Sequence, residues 1–172
     1  MKEIEIKLRI ENETQLRRAI IKIADFDREY EKNDEYYIKD DFIVRVRDDY
    51  PETYVTYKVR KIVNNTEVND EFEMTVSNKK MFIDLLAQSG YKLYYKKQKK
   101  GYSLKSVEGI NFDISSVNDL GMFLEIEKVV EEEVSTEDTI KELKEIMKFL
   151  NLSENQIETK SYAALILENN KK

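Results

Sequence analysis

The 172-residue chain contains no cysteine and no histidine, only four glycines and a single proline, Pro51. Without cysteine there is no disulfide framework, no thiolate nucleophile and no thiolate metal site. Without histidine the commonest general base and the commonest transition-metal ligand are both missing. Any metal must then be held by carboxylates, which favour hard ions such as Mg²⁺, Mn²⁺ or Ca²⁺. A Ser-His nucleophilic pair is excluded for the same reason. The scarcity of glycine and proline leaves no flexible linker or low-complexity segment. No apolar run approaches the roughly 18 residues of a membrane span. With charged residues at the very start, the expectation is no secretory signal, no membrane partner and, by default, a cytoplasmic location.

Charge is what the chain has in abundance. Lys plus Arg number 29 and Asp plus Glu 35, a net of −6, and this acidic excess argues against nucleic acid as a partner. At this length, with 41% hydrophobic residues, one domain spanning residues 1–172 is expected.

Hydrophobic periodicity predicts a strand over Lys2–Ile10 and a helix over about 13–24 with Asn12 as its N-cap. Four strands follow in FDREYEKNDEYYI, DFIVRVRDD, ETYVTYKVRKI and NDEFEMTVS, with DDYPE and VNNTE among the turns. SNKKMFIDLLAQSGY reads as a second helix, capped by Ser77 or Asn78 and ended by Gly90. YKLYYKKQKKGYSLKSV, GINFDISSV and LGMFLEIEKVVEEE read as strands. A helix capped by a Ser135–Asp138 capping pair follows, its stripe of Ile140, Leu143, Ile146, Met147 and Leu150 suited to cover a barrel's outer face. A short last helix lies in KSYAALILENN, while VVEEEV and the final NNKK read as solvated surface and tail. The order is that of a rough internal duplication without a residue-level repeat.

The first strand alternates Ile4, Ile6, Leu8 and Ile10 with Glu3, Glu5, Lys7 and Arg9. One such strand is ordinary in an antiparallel sheet with a wet face. Here, however, the alternation recurs with charges of one sign at i and i+2: Arg45 and Arg47, Glu71 and Glu73, Lys97 and Lys99, Glu125 and Glu127. Lys58 follows Thr56, and Asp113 stands between Phe112 and Ile114. A merely solvated face would mix signs and include Ser, Thr, Asn and Gln. If the strands close into an antiparallel barrel, these charges converge on a lumen that at about eight strands holds side chains plus one small ligand. Such a lumen is costly to desolvate unless water, metal and an anionic ligand fill it. Carboxylates without histidine imply a hard divalent cation, and converging Arg and Lys imply a polyanion. A metal-chelated polyphosphate meets both requirements.

EIEIK, residues 3–7, resembles the ExExK signature of the CYTH group, the triphosphate tunnel metalloenzymes, which includes class IV adenylyl cyclases, thiamine triphosphatases and inorganic triphosphatases. The other segments fall in family order: Arg45 and Arg47, Thr56 to Lys58, Glu71 and Glu73, KQKKGY from Lys97, DISSVNDLGMFLEIE from Asp113 to Glu127, and KSY from Lys160. The resemblance implies an α+β, predominantly antiparallel β fold: an eight-stranded closed tunnel with helices packed outside, often forming a homodimer. It implies triphosphate binding by Lys7, Arg45, Arg47, Lys58, Lys97, Lys99 and Lys160. It also implies one or two Mg²⁺ or Mn²⁺ ions on Glu3, Glu5, Asp113, Glu125 and Glu127, with Glu71 and Glu73 in the same acidic set.

For hydrolysis, positioning and charge neutralisation do most of the work. The expected catalytic set is Glu3, Glu5, Lys7, Glu71 and Glu73, with a carboxylate of the Glu3/Glu5 or Glu71/Glu73 pair orienting the water. Inorganic triphosphate is the expected substrate, with nucleoside triphosphates weaker. The alternatives are a class IV adenylyl cyclase, which additionally needs an adenine pocket, and a polyphosphate-binding module without turnover. Tyr36/Tyr37 and Tyr94/Tyr95 are expected to pack the sheet rather than to stack on a base.

Overall fold

The computed structural model describes residues 1–49 and 51–170; Tyr50 of the DDYPE turn and Lys171 and Lys172 of the tail lie outside them. Its strands are β1 (Lys2–Arg9), β2 (Asp25–Lys39), β3 (Phe42–Asp49), β4 (Glu52–Val63), β5 (Thr66–Val76), β6 (Lys92–Lys105), β7 (Ile110–Val117) and β8 (Met122–Val130). The helices are α1 (Glu13–Ile20), α2 (Lys79–Gln88), α3 (Thr136–Phe149) and α4 (Tyr162–Asn169). The strands pair in the order β1-β5-β4-β3-β2-β6-β7-β8 and close into a barrel. Every pairing is antiparallel, so the expected tunnel architecture is the fold.

Period-two alternation divides the residues between the two faces of the wall. Ile4, Ile6 and Leu8 of β1 are fully buried on the outer face. They join Ile114, Leu124 and Ile126 of β7 and β8 beneath Ile140, Leu143 and Met147 of α3 and its C-cap Leu150, so the α3 stripe covers the barrel as its spacing predicts. Leu16 and Ile20 attach α1 to the same core. A smaller cluster seats Leu86 of α2 on Tyr37 and Val46. Leu165 of α4 packs on Val117 and Phe123, with Tyr162 edge-on to Phe123 at 5.1 Å between ring centroids.

The helix ends show where local signals are sufficient. Asn12 accepts from the Gln15 N–H, and Asn78 rather than Ser77 accepts from the Met81 N–H. Gly90 adopts φ +89°, as the residue after a helix C-terminus often does. Helix α1 stops at Ile20 rather than near residue 24, because Ile21 to Ile23 form the turn that delivers Asp25 to its pairing with Lys105. Ser135 accepts from the Asp138 N–H, but the Asp138 carboxylate bonds Lys141 at 3.3 Å, so the cap is not reciprocal. A capping box forms instead at Ser153 and Gln156, around a 3₁₀ turn over Glu154–Gln156 that periodicity does not reveal. Glu131 to Glu133 are exposed, as expected of a solvated run. Among the described residues no helix is long and apolar enough to cross a membrane.

Candidate functional site

The inward positions enclose a cavity of about 510 Å³. The alternating strand charges line it at Glu3, Glu5, Lys7, Arg45, Arg47, Lys58, Glu71, Glu73, Lys97, Lys99, Asp113, Glu125 and Glu127, whereas Arg9 at the end of β1 pairs with Glu158 at 3.0 Å outside the lining. The register organises them. Lys7 stands opposite Glu125, which stands opposite Asp113. Glu5 is flanked by Glu127 on β8 and Glu67 on β5, and Lys58 by Glu71.

Most of these charges neutralise one another. Lys58 Nζ lies 2.8 Å from Glu3 and also contacts Glu71. Lys99 is buried between Asp113, at 3.1 Å, and Glu125. Arg45 bonds Thr56 Oγ1 at 2.7 Å and Glu73 at 3.1 Å. Burial alone would raise the Glu125 pKa, but the Lys99 ammonium outweighs it and holds the carboxyl down at about 2. Burial opposes charge on Lys99 too, yet Glu125 and Asp113 keep it firmly protonated. Glu5 and Glu127 have the opposite balance. Burial, reinforced by the negative charges of Glu125, Glu67 and Glu3, pushes Glu5 well above the usual carboxylate range. Burial with Glu3, Asp113 and Glu125 nearby pushes Glu127 up to about 8.

The carboxylates expected to hold a metal divide accordingly. Among the described residues no three acidic side chains close around a common point, because Glu3 is engaged by Lys58, and Asp113 and Glu125 by Lys99. Glu5 and Glu127 nevertheless fit a hard divalent ion. They are oxygen donors on adjacent strands, and their pKa values are raised by burial and, after it, by neighbouring negative charge that a cation would offset.

Lys160 is the expected phosphate ligand that the fold leaves outside the lining. It precedes Ser161, the N-cap of α4, and its Nζ reaches Glu168 at 2.8 Å on the exterior. Its neighbour Tyr162 does line the cavity, with Lys7 Nζ 4.5 Å and Lys97 Nζ 5.2 Å from its ring centroid. The tyrosine pairs split between the faces of the wall. Tyr37 packs outward under α2, whereas Tyr36 and Tyr95 line the cavity and stack at 4.2 Å, so sheet packing accounts for only part of them.

Sequence reasoning passed over Arg28, Lys32, Arg60 and Glu67 on the lining, and Asp34 buried beneath it on the same inward face. Arg60 and Glu67 pair at 2.8 Å, and continuing the Thr56, Lys58 alternation by two residues finds Arg60. β2 is harder to read because it carries charge on both faces, with Arg28, Lys32 and Asp34 alternating against Glu29, Glu31 and Glu35. A rule requiring one sign per strand misses it. Lys32, 3.7 Å from Asp113, has its pKa lowered to about 8 by burial and by the Lys99 charge.

The chain is similar along nearly its whole length to known proteins. A Methanocaldococcus jannaschii protein, named as a candidate adenylate cyclase, is 29% identical, the match covering 96% of this chain and 98% of that protein. A solved Pyrococcus horikoshii structure superposes with a TM-score of 0.83 at 28% identity, covering 95% of this chain and 98% of that one. A Hippeastrum structure superposes with a TM-score of 0.60 at 15% identity, covering 99% and 96%, and so shares the fold. The family model described as the CYTH domain matches residues 1–162. The chain belongs to the CYTH domain family.

Proposed function

We propose that the protein is a divalent-metal-dependent triphosphatase that splits inorganic triphosphate into pyrophosphate and orthophosphate, with weaker action on nucleoside triphosphates. The observation that carries this reading is a single cavity lined both by Lys7, Arg45, Arg47, Lys58, Lys97 and Lys99 and by carboxylates of raised pKa. The cations neutralise the phosphoryl oxygens, with Arg47 and Arg45 offering forked donors and the lysines point charges. Glu5 and Glu127, with Glu3, Asp113 and Glu125 as their lysines turn toward phosphate, would hold Mg²⁺ or Mn²⁺. A bound ion supplies Lewis-acid neutralisation and a more acidic water. A carboxylate of the Glu3/Glu5 or Glu71/Glu73 pair orients the attacking water, and the bridging oxygen leaves with pyrophosphate. The Hippeastrum relative, described as an adenylyl cyclase candidate with a dominant triphosphatase activity, supports hydrolysis on this fold.

An adenylyl cyclase is the second reading, favoured by the name of the Methanocaldococcus jannaschii relative and by the aromatic surface of Tyr36 and Tyr95 in the wall. Product analysis separates the two. Triphosphate and, separately, ATP are supplied with Mg²⁺ or Mn²⁺, and orthophosphate, pyrophosphate, ADP and cyclic AMP are resolved. Orthophosphate plus pyrophosphate from triphosphate, without cyclic AMP from ATP, is the expected result. Cyclic AMP plus pyrophosphate makes the protein a cyclase, and no product from either substrate makes it a binding module.

We propose a homodimer formed through the outer face of β3–β5. There Phe42, Tyr57 and Phe72 form a row at 5.9 and 6.1 Å between centroids, and Phe72 and Met74 are exposed. Light scattering on the native chain and on Phe72→Glu is expected to show a dimer and a monomer respectively.

A further inference from the structure

Strand β2 lies between β3 and β6, and its register sets Asp34 directly opposite Arg47 on one side and Lys97 on the other. The residue is 1% exposed. Asp34 Oδ1 accepts from Arg47 Nε at 2.7 Å; Oδ2 accepts from Arg47 Nη2 at 2.9 Å and lies 3.2 Å from Lys97 Nζ. The Tyr36 hydroxyl donates to Oδ2 at 3.4 Å. Arg47, Lys97 and Tyr36 line the cavity, whereas Asp34 does not. A buried carboxylate on the inward face of β2 lies beneath the cavity lining and holds three groups that form it.

We propose that Asp34 is a positioning residue for phosphate binding, fixing the Arg47 guanidinium and the Lys97 ammonium so that their remaining donors face the polyanion. The inference rests on the triphosphate reading above. Arginine has five N–H donors in a rigid fork and lysine three on a flexible stem. Two of the Arg47 donors and one of Lys97 are committed to Asp34, which leaves the majority for a ligand. Ordering both side chains before the ligand arrives removes a cost that binding would otherwise bear. Burial alone would drive Asp34 toward neutrality, but the Lys97 and Arg47 charges hold its pKa well below the ordinary range, so the clamp stays ionised.

Charge and position make opposite predictions for Asp34→Asn. Charge alone says that removing an anion from beneath the lining tightens binding of a polyanion. Positioning says that binding weakens, because the fork loses its anchor while its charge remains. Isothermal titration of inorganic triphosphate into metal-free protein decides the sign without depending on turnover. The expected result is a Kd about tenfold weaker for Asp34→Asn, with no further loss when the substitution is added to Arg47→Ala/Lys97→Ala. Equal or tighter binding by folded Asp34→Asn overturns the proposal, as does an equal loss in the doubly truncated background. If Asp34→Asn does not fold, the charge-balanced Asp34→Asn/Lys97→Met is compared with Lys97→Met alone, and the same weakening is required through Arg47. A native chain that binds no triphosphate overturns the functional reading and this one with it. A native chain that binds while Asp34→Asn binds equally overturns this one alone.

Discussion

Glu5 on β1 stands directly across from Glu127 on β8, while the neighbouring acids Glu3, Asp113 and Glu125 each hold a lysine. The two carboxylates are therefore the least compensated charges of the tunnel. Both have pKa values raised by burial and by neighbouring negative charge, Glu127 to about 8. In the unfolded chain each ionises near the ordinary value of about 4.3. Between that value and about pH 8 the native state keeps protons that the unfolded state has released, so stability falls as pH rises through this window. The melting temperature of metal-free protein is expected to drop by about 5–10 °C between pH 5 and pH 8. Mn²⁺ or Mg²⁺ is expected to restore it at pH 8 with release of protons, seen as a buffer-dependent binding enthalpy. A melting temperature that is flat in pH and indifferent to metal would contradict the arrangement.

Glu127→Gln tests the same pair with two readouts of opposite sign. Removing one of the two raised carboxyls removes the cost of ionising it in a buried, negatively charged place, so the metal-free variant is expected to melt a few degrees higher at pH 8 and to lose the Glu127 share of the pH dependence, that of Glu5 remaining. The same change deletes an oxygen donor suited to a hard cation, so Mn²⁺ affinity is expected to fall by about tenfold or more, and turnover with it. Unchanged turnover and metal dependence would remove the basis for placing the ion there.

Lys99 and Lys160 both stand among the expected phosphate ligands, and the structure gives them different surroundings. Lys99 is 5% exposed and neutralises Asp113 and Glu125 together. Lys99→Met leaves the buried Glu125 without its ion pair and Asp113 with only Lys32 at 3.7 Å, and is expected to cost about 3–5 kcal/mol at pH 7. The cost shrinks as pH falls, because Glu125, no longer held ionised by the ammonium, takes up a proton. Lys160 forms an exposed pair with Glu168, so Lys160→Met is expected to leave the melting temperature unchanged. Thermal melts of both variants at pH 7 and at lower pH check the contrast.

The fold was legible because each strand repeats one local rule, Ile4, Ile6 and Leu8 outward and Glu3, Glu5 and Lys7 inward, and turn residues separate the repeats. The tunnel charges were legible for the same reason. What could not be read locally depends on register between strands distant in sequence. Nothing near Asp34 says that Arg47 and Lys97 will flank it, and nothing near Lys99 says that it will engage Asp113 and Glu125 while Glu5 and Glu127 are left to each other. Lys160 stands just before the α4 N-cap Ser161, where the chain has already left the wall, so strand alternation does not place it.

Gly101 gives the most stringent test of that register. It lies on β6 opposite Ser115 of β7 and Tyr30 of β2. A Cβ there would lie 2.0 Å from the Ile114 carbonyl oxygen and 2.6 Å from Ser115 Cα. These are backbone atoms, so no side chain can rotate away and β7 itself must move. Asp113, two residues from Ser115, and Lys99, two residues from Gly101, pair across this same junction at 3.1 Å. Gly101→Ala is therefore expected to destabilise by about 2–3 kcal/mol or more, a drop of about 4–12 °C in melting temperature. Protein that remains folded is expected to bind triphosphate more weakly as well, because displacing β7 disturbs the Lys99 ion pairs. An alanine variant with native melting temperature would show that β6 and β7 are spaced more widely than this register allows, and the positions assigned to Lys99 and Asp113 would have to be reassigned with them.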